Sequence, residues 1–120
     1  MPKRISKTTN AGRKKLVPAS VPHEPWLIER LRDPEDAAAY LEAAIEDGDQ
    51  SVLMLALRRI ALARGGVAAI ARKSKLTREA TYRMLSKSGN PELRSLTAIL
   101  GAAGLRLSVR PIAQRLRKAA

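Results

Sequence analysis

A chain of 120 residues suits one small domain with tails; with no Phe, one Trp and two Tyr, its core must come from Leu, Ile, Val, Met and Ala. The absence of Cys excludes disulfides, thiolate metal sites and a Cys nucleophile, and the single His23 has no partners for a metal site. The net charge of +12 divides into +5 over residues 1–24, −6 over 25–50 and +13 over 51–120, a pattern that points to a polyanionic partner and to one surface kept away from it.

Residues 1–24 lack apolar periodicity and carry Pro, Gly, Ser, Thr and Lys/Arg, which predicts a disordered basic arm adding nonspecific nucleic-acid affinity. The same stretch is poor in acids and rich in hydroxyls, as organelle transit peptides are. The folded domain is expected over 25–111, where Trp26, Leu27 and Leu31 form a short apolar anchor. The first predicted helix is "DPEDAAAYLEAAIEDG", with Asp33 as cap, Pro34 at the first helical position, Glu35 and Asp36 matched to the dipole, and Gly48 as the stop. Ala37, Leu41, Ala44 and Ile45 fall on its apolar face. A second helix is capped by Asp49 and runs to about Ala63, burying Val52, Leu53, Ala56, Leu57, Ile60 and Ala61, until Gly65-Gly66 breaks it. The run Val52 to Leu57 is the longest aliphatic stretch, far short of the roughly 20 residues a membrane span needs. No secretory apolar segment is present either, so no membrane partner and a cytoplasmic location are expected.

A third, short helix is predicted over Val67–Lys73 and a fourth over Thr77–Leu85. "SKSGNPE" reads as a loop. Asn90 and Pro91 are expected to open a fifth helix that carries Leu93, Leu96, Ile99, Leu100 and Ala103 on one face and ends at Gly104. The period then changes from 3.6 to 2. "LRLSVRP" sets Leu105, Leu107 and Val109 against Arg106, Ser108 and Arg110, which predicts a strand at about 105–110, paired with a second copy or lying on the core. Residues 112–120 read as a basic tail.

Residues 67–85 carry the pattern of a helix-turn-helix: two short helices around a three-residue turn, with Ala71 at the crossing and Leu76 plugging the turn. Thr77 caps the second helix and can meet a phosphate. Thr81, Met84 and Leu85 turn inward, leaving Arg78, Glu79, Tyr82 and Arg83 outside. Arg can bond guanine bidentately and Glu can accept from cytosine N4. Arg72, Lys73, Lys75 and Lys87 flank these residues as phosphate contacts, whereas Arg58, Arg59 and Arg64 read as solvated surface. The acidic block reads as a solubilising face or a site for a basic protein partner. No nucleotide loop, catalytic triad or metal cluster is evident, so neither an enzyme nor a cofactor is expected.

The ordered combination of "DPEDAAAYLEAAIEDGD", "LTREATYRML", "GNPEL" and "GLRLSV" resembles the HigA-like addiction-module antidote family, an Xre-related group, over about residues 27–110. The resemblance implies an all-α, five-helix repressor-type helix-turn-helix domain with a short C-terminal β-strand, usually a homodimer. It also implies an antitoxin that neutralises a RelE-type toxin and represses the shared operon by binding double-stranded operator DNA. By that resemblance Arg78, Glu79 and Arg83 read bases, with Thr77 at phosphate. Lys75 departs from the family, which usually has Gly at that turn position, and Thr81 stands where a more apolar residue is usual. The alternatives are a stand-alone helix-turn-helix regulator without a toxin, or a helical protein- or RNA-binding module; few aromatics disfavour single-stranded RNA.

Overall fold

The computed structural model describes residues 23–112, so most of the basic arm expected over 1–24 and of the tail expected over 112–120 lies outside the described residues. Six helices follow in order: α1 (His23–Arg30), α2 (Pro34–Asp47), α3 (Gln50–Ala63), α4 (Val67–Ser74), α5 (Arg78–Met84) and α6 (Leu93–Ala102). α3 is the central element, packing against α1, α2 and α4, while α4 packs in turn against α5 and α6.

Capping chemistry sets most of the boundaries. The Asp33 carboxylate accepts the Glu35 N–H at 2.9 Å, and Pro34 opens α2. Gly48, at φ 84°, closes it. Asp49 accepts both the backbone N–H of Ser51 at 2.9 Å and its hydroxyl at 2.8 Å, so that α3 starts with only Gly48 and Asp49 between it and α2. Three helices end with the same pair of bonds, in which the two amides after the helix reach back five and three residues. They are Gly66 to Ala61 and Gly65 to Leu62 after α3, Leu76 to Ala71 and Lys75 to Arg72 after α4, and Leu105 to Leu100 and Gly104 to Gly101 after α6.

The core is aliphatic, as the composition requires. Leu31, Met54, Ile60, Ile70 and Leu85 are its largest fully buried hydrophobic side chains, joined by Leu57, Ile99 and Leu100. Burying one such side chain contributes on the order of 1.5–3 kcal/mol. Arg64 ties two chain ends into this core: its Nε donates to the Ala103 carbonyl at 2.9 Å and its Nη1 to the Leu31 carbonyl at 2.9 Å.

The helix count differs from expectation: the described residues form six helices, not five. The additional one is α1, where the sequence suggested the end of an arm and an apolar anchor. Pro25 lies in its first turn, where a missing N–H costs nothing, and Glu24 and Arg30 match the two ends of the dipole. Trp26 sits under the Arg30 guanidinium, 5.9 Å from the ring centroid, and Arg30 also pairs with Asp36 at 3.1 Å across the turn into α2.

The expected C-terminal strand is absent. No strand occurs among the described residues, and 105–110 runs on as irregular chain. The Leu105 amide is spent on the α6 cap, and the alternating residues beyond it find no neighbouring strand. Val109 is 96% exposed. Two smaller differences have local causes. α6 opens at Leu93 after Glu92 rather than at Pro91 after Asn90, because the preceding loop folds back on α5. Ile45, assigned to the apolar face of α2, is half exposed, since among the described helices α2 packs chiefly on α3.

Candidate nucleic-acid interface

α4 and α5 meet around a turn of three residues, Lys75–Thr77. Lys75 adopts φ 61° and ψ 35°, the left-handed conformation, and is the sole non-glycine residue with positive φ among the described residues. The turn is therefore the one a glycine would favour, built with lysine. Its amides close the end of α4, and Leu76 folds its side chain partly against the core.

Thr77 then starts α5. Its Oγ1 accepts the Ala80 N–H at 3.0 Å, and its carbonyl accepts the Thr81 hydroxyl at 2.7 Å. That second bond explains how Thr81 can be completely buried: the polar atom of an otherwise apolar position is satisfied within the helix. Helical rotation of about 100° per residue places Arg78, Glu79, Tyr82 and Arg83 on one arc, with Thr81 turned away from it, and Leu85 follows as the C-cap. All four are exposed, while Thr81 and Leu85 are buried.

All nine residues singled out in the sequence are exposed: Arg72, Lys73, Lys75, Thr77, Arg78, Glu79, Tyr82, Arg83 and Lys87. Arg72, Lys73 and Lys75 gather at the end of α4, where cations complement the helix dipole, and Arg78 begins α5 three residues later. Lys87 stands in the loop after α5. Its charge helps lower the Asp49 carboxyl below its ordinary 3.8, behind the larger effects of the Ser51 hydroxyl and amide.

The three arginines of α3 and its C-cap, read from the sequence as solvated surface, are structural. Arg58 Nη1 donates to the Leu85 carbonyl at the end of α5 at 2.6 Å. Arg59 donates to the Tyr40 hydroxyl at 3.0 Å and pairs with Glu24 at 3.4 Å, and these contacts raise its pKa, Tyr40 first. Gln50 Nε2 bonds the Gly89 carbonyl at 3.0 Å. The helical spacing of Gln50, Met54 and Arg58 on α3 was the available signal for this shared face.

Two short helices crossing at a turn capped by Thr77, with a cation-rich face outward, define a small regulatory binding domain. Comparison with known proteins gives it a family. A model described as "Probable addiction module antidote protein" matches residues 26–111. An uncharacterized protein of Haemophilus influenzae is 30% identical over 83 residues, which cover 69% of this chain and 84% of that protein. No solved structure matches the chain. The chain belongs to the addiction-module antidote family: it is the antitoxin component of a toxin–antitoxin module, a regulatory rather than a catalytic protein. No helix among the described residues is long and apolar enough to cross a membrane.

Proposed function

We propose that this antitoxin is a sequence-specific DNA-binding repressor of its own operon. The observation that carries the reading is the outward arc of Arg78, Glu79, Tyr82 and Arg83 on a short helix whose opposite side is buried and whose first turn is capped. α5 enters the major groove. Arg78 and Arg83 bond guanine edges, Glu79 accepts from cytosine, and Tyr82 packs beside them. Arg72, Lys73, Lys75, Thr77 and Lys87 hold phosphates and fix the register. A homodimer places two copies of α5 in successive grooves, and occupancy blocks transcription.

The toxin partner is of the RelE type, and its contact surface is α2. That helix exposes Glu35, Glu42, Glu46 and Asp47 around half-exposed Ile45, and it packs on α3, away from α5. Such a face suits a basic protein and leaves the DNA-facing side open.

A shift assay with the promoter segment upstream of the coding sequence tests the DNA reading. Arg83→Ala should weaken binding about tenfold or more, from roughly 1–3 kcal/mol per bidentate contact. Equal affinity for the promoter and a scrambled duplex would sink it. Co-expression with the product of the adjacent gene tests the toxin reading.

A further inference from the structure

The segment after α5 is fixed at both of its ends by one helix. α5 has seven residues, and the carbonyls of its last turn are met from just beyond it, Thr81 by the Leu85 amide at 3.0 Å and Arg83 by the Ser86 amide at 3.3 Å. The carbonyl of the C-cap Leu85 is met by Arg58 of α3, which donates to it at 2.6 Å and sets a cation at the negative end of the dipole. Two turns earlier on α3, Gln50 donates to the Gly89 carbonyl at 3.0 Å. Between these anchors the loop is tied to itself, the Gly89 amide donating to the Ser86 carbonyl at 2.8 Å and the Ser86 hydroxyl to the Arg83 carbonyl at 2.8 Å. Gly89 lies against the backbone of Arg83 and Met84, so closely that a Cβ there would overlap the Met84 carbonyl. The three residues held in this way, Ser86 to Ser88, carry Lys87 at their centre.

We infer that Gln50 and Arg58 are positioning residues for DNA binding: the α3 clamp on Leu85 and Gly89 fixes where Lys87 meets a phosphate and holds the last turn of α5, from which Arg83 projects. Neither residue touches DNA; Gln50 acts through Lys87 and Arg58 through Arg83. The inference rests on the DNA-binding reading of α5. It adds that the reading surface extends to the loop after it, and that its geometry is set from α3. The proximity of Lys87 to Asp49, the residue before Gln50, agrees with this placement of the loop.

The test uses the full chain, the upstream promoter duplex, and a scrambled duplex of equal length. Lys87→Ala should weaken promoter binding about fivefold and lower the slope of log affinity against log salt by about one, as for one lost phosphate contact. Gln50→Ala, at an exposed position, should do the same. The double variant should be no weaker than either single one, because both remove the same contact. Arg58→Met should weaken promoter binding about tenfold while lowering scrambled binding little, and Arg58→Lys should restore most of it. Additive losses at Gln50 and Lys87 overturn the clamp. So does an unchanged salt slope in folded Gln50→Ala. If Arg58→Met does not fold, the Gln50–Lys87 cycle decides alone. Should the unaltered chain bind both duplexes equally, the DNA reading falls and the clamp with it, a failure distinguished by needing no variant.

Discussion

Lys75 holds φ 61° at a position where the side chain has a steric cost and a glycine would have none. Its ammonium is exposed and makes no hydrogen bond or ion pair among the described residues, so nothing in the fold offsets the strain. Under the proposed DNA binding, the charge of that lysine meets a phosphate. Lys75→Gly is therefore expected to raise stability by about 1 kcal/mol in urea denaturation and to lower the salt slope of DNA binding by about one. A destabilised glycine variant would show that the turn is not strained. Thr77 gives the opposite expectation: Thr77→Ala loses the bond to Ala80 and about 1 kcal/mol, and Thr77→Ser keeps it. Asp49 adds a pH dependence. Its folded pKa is depressed, so the stability it contributes is full above its ordinary 3.8 and is lost as pH falls through the lower folded value. Melting curves over roughly pH 2 to 6 should show that loss flattened in Asp49→Asn. Residues such as these were the most legible part of the sequence. Asp33, Asp49 and Thr77 cap as their types and spacing announce, and the cost at Lys75 follows from its place in the turn. Asn90 failed as a cap because the loop before it is folded by a tertiary contact, Gln50 on Gly89, that no local pattern encodes.

Among the helices, legibility followed length and period. α2, α3 and α4 were read with their buried faces nearly intact, since Ala37, Leu41, Ala44, Val67, Ile70 and Ala71 recur at helical spacing and are buried. α1 was hidden because Pro25 punctuates "VPHEP" like a linker, although a proline in the first turn is compatible with a helix. The strand expected at 105–110 shows the reverse error. Alternation identifies residues able to form a strand, but pairing requires a neighbour, and the described residues supply none. The loop between α5 and α6 depends on one close approach. Gly89→Ala would set a methyl group into the backbone of Met84, which cannot retreat as a flexible side-chain tip could. The loop must shift, at a cost of about 1–3 kcal/mol or more in urea denaturation. Promoter binding by the folded fraction should fall as well, since the displaced loop carries Lys87. Wild-type stability in this variant would mean that the loop does not lie on α5.

Across the molecule, charge is sorted by element: the acids gather on α2 and its borders, and the cations on α4, α5 and the loop beyond. Folding explains part of the sorting, since Asp33 and Asp49 cap helices and Asp36 pairs with Arg30, but not all of it. Glu46 and Asp47 end α2, where the helix dipole disfavours negative charge, and no basic residue shares that last turn. Neither forms an ion pair among the described residues; Asp47 does accept the Asp49 amide at 3.3 Å, a bond that an asparagine could also accept. Replacing both, as Glu46→Gln with Asp47→Asn, should therefore raise stability slightly, by about 0.3–1 kcal/mol per charge at low salt. If the acids keep this face off nucleic acid, the same variant should bind scrambled DNA more tightly while promoter affinity gains less, so that discrimination narrows. If α2 is the toxin-facing surface, the variant should also associate more slowly with the toxin, and added salt should shrink the difference. Such an outcome would assign this pair of acids to what α2 meets outside the fold. A double variant that is both less stable and unchanged in DNA discrimination and toxin association would reverse that assignment, making the acids part of the fold and leaving α2 without a role in binding.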